Sequence, residues 1–307
     1  MPAGEPMRIT DTGLATQILG TIVDSYARLA KTQEQLATTK RINRPSDDAL
    51  GTSLVLRFQA AKAALEEFQQ TTDTTQEFLR NTATALARVT DVLGQAKEIA
   101  IQGSNDYLNG TRGPLAEQVN QLLEELVSVG NTRYADRYVF GGVQTATAPF
   151  SVTRDAAGRI MTVAANPLGI NGSVKAEVAD GVRVQSNLPG DQAFTQTQDL
   201  FATLIALRDR LTAEDTPGIV SAIGDLATGI VQVNTVSGVV GVSVQRLEAV
   251  RTRNQEDLTR VERLRSNEQD ADIAELYMEM QKQQNAFQAS LAAGARAIQM
   301  SLLDFLR

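Results

Sequence analysis

The two ends of this chain carry matched helical stripes of apolar residues, and that match constrains whatever lies between them. Ile18, Ile22, Leu29 and Leu36 recur at the spacing of one helix face, while Gln17, Asp24, Arg28, Lys31 and Glu34 fall on others. Near the other end, Leu276, Phe287 and Ile298 form one series with an 11-residue repeat, and Met280, Leu291 and Leu302 form a second. Such a repeat keeps a stripe nearly straight along a helix, and Phe305 extends it. Helices over 14–40 and 273–306 would be about 40 and 50 Å long at roughly 1.5 Å per residue. Their similar lengths predict that they pair.

Between these ends the pattern changes twice. Arg41-Ile42-Asn43-Arg44-Pro45 ends the first helix, because proline disfavours helical geometry at Arg44, and Ser46-Asp47-Asp48 offers caps for the next. Helical spacing then runs from Ala49 to Tyr107 and resumes with Val119, Leu122, Leu123, Leu126 and Val129. After Gly141-Gly142 come short β-branched runs broken by Asn166-Pro167, Asn171-Gly172 and Pro189-Gly190. Helical spacing returns from Asp199, weakened by Gly224, Gly229, Gly238 and Gly241. The expected fold is mainly α, an elongated helical bundle with coiled-coil-like paired terminal helices and a small β-rich insert. Its expected parts are a terminal helix over 7–44, bundle halves over 45–142 and 199–267, an insert over 143–198 and a last helix over 268–307. Residues 1–6 have no pattern, so Met7 is a candidate natural start.

Composition closes off most chemistry. No Cys and no His among 307 residues removes thiol nucleophiles, thiolate metal sites and the commonest general base, so no catalytic, cofactor-binding or metal-binding residue is expected. A net charge of -7 argues against nucleic acid. Polar residues interrupt the N-terminal stretch and residues 226–244, so neither a cleaved signal peptide nor membrane insertion is expected. Asp47 and Asp48 read as capping and joint residues, as do Asp270 and Asp272, with Arg41, Asn43 and Arg44 as ion-pair or hydrogen-bond partners.

Ordering about 60 terminal residues costs roughly 1 to 2 kcal/mol each, and burying a large apolar side chain returns roughly 1.5 to 3. A lone helix pair is therefore marginal. Ile18, Ile22, Leu29 and Leu36, with Leu276, Met280, Phe287, Leu291, Ile298, Leu302 and Phe305, are accordingly expected to face neighbouring subunits or a chaperone as well as each other. The ends are expected to be mobile in the monomer and ordered on assembly.

Several stretches resemble the bacterial flagellin superfamily. Lys40-Arg41-Ile42-Asn43-Arg44-Pro45-Ser46-Asp47-Asp48-Ala49 is similar to its signature after the first terminal helix. Asp270-Ala271-Asp272-Ile273-Ala274-Glu275 resembles the entry to the last one, followed by Ser290-Leu291-Ala292-Ala293 and Ser301-Leu302-Leu303-Asp304-Phe305-Leu306. Arg137-Tyr138-Val139-Phe140-Gly141-Gly142 and Gly190-Asp191-Gln192-Ala193-Phe194 resemble the superfamily's hook-filament junction proteins. The resemblance implies a non-enzymatic structural subunit, outside the cell in the bacterial flagellum, exported by the flagellar type III apparatus. It implies as partners other copies in a ring, the adjacent hook-associated protein, flagellin and an export chaperone. A short flagellin of the filament is the nearest alternative; a secreted helical adhesin and an enzyme with a catalytic insert lie further off.

Overall fold

The computed structural model describes residues 11–105 and 110–305, with the side chains of the outermost described stretches left aside. Seven helices and three hairpins follow in chain order among them. The elements are α1 (Asp11–Thr38), α2 (Ala49–Gly103), α3 (Gly113–Gly130), β1 (Arg133–Tyr134), β2 (Arg137–Tyr138), β3 (Phe150–Arg154) and β4 (Ile160–Ala165). They continue with β5 (Lys175–Ala179), β6 (Val182–Gln185), α4 (Gly190–Phe194), α5 (Leu200–Thr212), α6 (Thr216–Gln269) and α7 (Ile273–Phe305). The fold is mainly α with a small β content. The chain divides into two compact units, one holding residues 1–63 and 259–307 and the other residues 64–258.

The second unit has a sealed core. Leu86, Val89, Leu93 and Ala96 of α2 meet Val119, Leu123 and Leu126 of α3, with Leu204, Leu207 and Leu211 of α5, all within a percent of complete burial. The 3-to-4-residue spacing of each set is what puts it on one helix face. From α6, Ile219, Leu226, Val233, Val240 and Leu247 enter the same core. That packing overrides the glycines expected to weaken α6, which is one uninterrupted helix of 54 residues.

The strands form three separate antiparallel hairpins, β1 with β2, β3 with β4 and β5 with β6. They do not form a layer of their own. Ile160, Val178 and Val184 share the helical core, and β1–β2 precedes the expected start of the insert at 143. Buried amides make the attachment: Asn131 at the end of α3 donates to the Phe150 carbonyl (2.9 Å) and accepts from its N–H (3.1 Å), and Asn254 of α6 donates to the Val178 carbonyl (3.0 Å). Phe140, Phe150, Phe194 and Phe201 close the core, with the Phe194 ring centroid 5.0, 5.0 and 5.4 Å from those of Phe140, Phe150 and Phe201.

By length and composition alone, α6 contains a window long and apolar enough to cross a membrane. Its Leu226, Val233 and Val240 face packs into protein. Val220, Val231, Val239 and Val242 on other faces are 54 to 66% exposed.

A buried ion pair fixes the turn between α5 and α6. Arg112 is fully buried before α3, and it donates to the Glu214 carboxylate (3.1 Å), the Glu214 carbonyl (3.2 Å) and Thr216 Oγ1 (2.9 Å). Glu214 reaches it from a left-handed backbone, φ 54°. Removing the carboxylate strands a buried cation, whereas removing the arginine leaves an acid that is 31% exposed. Glu214→Ala is therefore expected to destabilise more than Arg112→Met does. Urea unfolding followed by circular dichroism checks the order; the reverse order would mean that packing, not charge, holds this turn.

Candidate subunit interface at the paired chain ends

Helices α1 and α7 pack against each other, as the matched stripes predict. The antiparallel register is visible in three contacts. Gly294 lies against Ile18 and Ile22, the Tyr26 and Phe287 rings are 5.9 Å apart, and Thr32 Oγ1 donates to Gln283 Oε1 at 2.9 Å. A Cβ on Gly294 would come within 3.1 Å of Ile22 and 3.2 Å of Ile18, so glycine lets the two helices approach closely there.

The seam differs from the apolar stripe read in the sequence. On α1 it runs Ile18, Ile22, Ser25, Leu29, Thr32 and Leu36, with Ser25 and Thr32 as buried as Leu29. Reading apolar residues alone missed these two. Ser25 and Thr32 donate to the carbonyls of Thr21 and Arg28, one helical turn back, which lets them be buried. On α7, Leu276, Met280 and Phe287 are half-buried, whereas Leu291 is 45% exposed. Leu291 is thus less buried in the pair than Leu276, Met280 and Phe287, and Gly294 meets α1 one turn further on. The side chains of Ile298, Leu302 and Phe305 lie outside the described residues.

Other apolar side chains on this pair are largely exposed among the described residues. Leu19, Val23 and Tyr26 follow one another at helical spacing on α1 and are 58, 63 and 61% exposed. Tyr277 and Met278 of α7 are 54 and 67% exposed. The sequence signal for the first three was present as a second i, i+4, i+7 series beside the stripe.

Beyond α1 the chain turns through Thr39, whose φ is 57°, and the two joints of the terminal unit are stitched together. Arg41 N–H donates to the Gln269 carbonyl (2.7 Å) and Ala271 N–H to the Thr39 carbonyl (3.1 Å), around a bridge between Lys40 and Asp270. The Arg41 guanidinium reaches Asp48 (3.1 Å), Glu268 Oε1 (3.0 Å) and the Glu268 carbonyl (2.8 Å). Arg44 pairs with Glu34 and Lys31 with Asp47, while the Asn43 amide donates to the Lys40 carbonyl. All seven residues expected at the joint are thus brought together.

Their roles divide more finely than expected. Asp48 caps α2 by accepting from Gly51 N–H (2.8 Å), and Asp272 caps α7 by accepting from Ala274 N–H (2.9 Å) and Glu275 N–H (3.2 Å). Asp47 instead accepts from the N–H groups of Arg44 (2.9 Å) and Asn43 (3.2 Å), folding the loop on itself. Asp270 is corrected: its carboxylate accepts from Ser266 Oγ (2.7 Å), and its backbone makes the bridge. Gly51 was not singled out in the sequence, yet a Cβ there would meet Asp48 and Ile42 at 2.6 Å.

Backbone bonds and caps carry this joint more than its ion pairs do. The paired side chains are mostly a third or more exposed, where such pairs give about 0 to 1 kcal/mol, against about 1 kcal/mol for a cap. Asp47 is the best-held acid. The Lys31 ammonium and the N–H groups of Arg44 and Asn43 bring its pKa down from 3.8 to about 2. Asp48 is lowered by the Gly51 N–H and by Arg41.

With the geometry in view, known proteins can be compared. Residues 9–145 match the bacterial flagellin N-terminal helical region and residues 223–306 the C-terminal helical region. The chain belongs to the bacterial flagellin family. Flagellar hook-associated protein 3 of Escherichia coli is 30% identical over 147 residues, 47% of this chain and 46% of that protein. The chain thus spans less than half the length of that relative in the match. The flagellar filament 30.7 kDa core protein of Treponema maltophilum is 26% identical over 86% of each chain. Among solved structures, the flagellar junction protein FlgL of Legionella pneumophila shares the fold with a TM-score of 0.56 and 15% identity, over 70% of this chain and 99% of that one.

A depressed carboxylate pKa stabilises the fold at neutral pH, and that stability is lost as pH falls through the folded value. The stability difference between the protein and its Asp47→Asn variant is expected to be constant from pH 7 to 5. It should shrink as pH falls from about 4 towards about 2. Thermal melts at stepped pH measure it; a difference that ignores pH would show that the Asp47 charge does not hold the joint.

Proposed function

We propose that this chain is a structural subunit of the bacterial flagellum that joins the hook-associated ring to the flagellin filament. The observation that carries the reading is the exposure of Leu19 and Val23 on α1, and of Tyr277 and Met278 further along α7, on an already formed helix pair. Each such side chain would gain about 1.5 to 3 kcal/mol on burial, so surrounding subunits stabilise what one chain leaves half-buried. The exposed valines of α6 add a second, charge-free surface of the same kind, because no charged residue occurs between Asp225 and Arg246. The name of the Escherichia coli relative, a hook-associated protein, supports the junction in particular.

In this reading the terminal helices line an inner tube with their neighbours, and the joint at Arg41–Asp48 connects tube to wall. The partners are other copies in a ring, the adjacent hook-associated protein, flagellin and an export chaperone that receives α7. The protein acts outside the cell, exported without a cleaved signal, and has no catalytic role. The second reading is a short filament subunit, favoured by the likeness to the Treponema core protein over 86% of both lengths.

A strain lacking this chain is expected to make hooks while releasing flagellin as monomer. Normal filaments in that strain would overturn the junction role, and a shortened filament made of this chain would favour the second reading. The double variant Leu19→Ser and Val23→Ser is expected to keep the circular dichroism of the parent chain but fail to restore motility. Full complementation would show that the exposed α1 surface is not an interface.

A further inference from the structure

A groove of about 400 Å3 lies within the unit of residues 64–258, between α2, the β1–β2 hairpin and the segment around β5 and β6. Its walls hold Gln70, Thr71, Thr75, Arg137, Thr145 and Lys175. None of these six side chains makes a hydrogen bond or ion pair with another described residue of the chain, and no carboxylate lines the groove. Polar groups so concentrated and unspent are unusual in a wall whose neighbours are satisfied: Asn187, beside them, uses its amide on Gly142, Gly172 and Val174.

The two cations set the sign of what fits. Arg137 sits with its guanidinium 5.7 Å from the centroid of the Phe78 ring, which orients the planar fork and leaves its N–H edge for a ligand. The nearby acid Glu77 is engaged by the Tyr134 hydroxyl at 2.8 Å. Lys175 opens β5 with no partner. In a chain of net charge -7, two cations unpaired in one groove make it a local site for carboxylate.

We propose that this groove binds a short acidic peptide segment, with one carboxylate on the Arg137 fork, a second on Lys175, and its backbone on the hydroxyls and amide of Thr71, Thr75 and Gln70. A peptide fits better than an acidic sugar because no aromatic face is open for stacking. Phe78 is 7% exposed, and Tyr134 meets it edge-on, 70° from parallel. This site stands apart from the paired ends, and the inference does not depend on the junction reading.

The test uses the full chain and a fluorescein-labelled Gly-Asp-Glu-Asp-Gly peptide, read by anisotropy. Saturable binding is expected, weaker by about a hundredfold for the peptide with Asn and Gln in place of the acids, consistent with the loss of two charge-assisted hydrogen bonds. Arg137→Gln and Lys175→Gln should each weaken it by about tenfold, the loss of one such bond, with unchanged circular dichroism, and Arg133→Gln, whose partner is Asp136, should not. Equal affinity for the neutral peptide, an equal loss in Arg133→Gln, or no loss in either groove variant would overturn the proposal. So would tighter binding of polygalacturonate than of the peptide, which would assign the groove to acidic sugars.

Discussion

The terminal unit depends on closing the chain where its two outer helices begin and end. The backbone bonds from Arg41 to Gln269 and from Ala271 to Thr39 join segments separated by most of the sequence. Closing a loop that long costs only slowly growing entropy, about 0.6 kcal/mol per doubling of length. Once closed, α1 and α7 leave the joint side by side, and the register from Thr32–Gln283 to Ile18–Gly294 follows from where the stitches lie. A shift of this joint would misalign the glycine at 294 with the isoleucines it admits.

Burial is unequally distributed, and the inequality has a physical reading. The core of residues 64–258 is apolar and nearly dry along four helices, so that unit holds its own stability. The α1–α7 seam mixes Leu29 with buried Ser25 and Thr32 and leaves its flanking apolar residues in water. Polar residues in a helix seam cost stability and select register, as a single polar position does in coiled coils. A seam that is specific but weak is what a helix pair needs if neighbouring subunits supply the remaining burial.

Much of this was legible in the sequence because helix faces announce themselves by spacing. The pairing of the ends, the break at Pro45 and the capping role of Asp48 and Asp272 all follow from local rules. Three things escaped those rules. Ser25 and Thr32 fall outside an apolar stripe, because the hydrogen bonds that permit their burial run back along the helix and do not alter the spacing. Spacing does not single out Gly294 and Gly51 either, because the side chains that would meet a Cβ there lie on the partner helix and in the joint before α2. The attachment of the hairpins to the helical core was not legible either, because Ile160, Val178 and Val184 look alike whether they face a sheet partner or a helix bundle.

The stretch from Arg137 to Gly142 shows how one motif can serve both core and surface. Val139 and Phe140 are buried, and Phe140 sits edge-on to Phe194 from the other junction-like motif, so two segments that looked separate meet in one aromatic cluster. Gly142 must be glycine: its φ is 59°, and a Cβ would lie 2.2 Å from the Gly169 carbonyl oxygen. These inward demands fix the backbone of the hairpin whatever Arg137 does. Its guanidinium, held over the ring of the buried Phe78, is therefore positioned by the core and free to act at the surface.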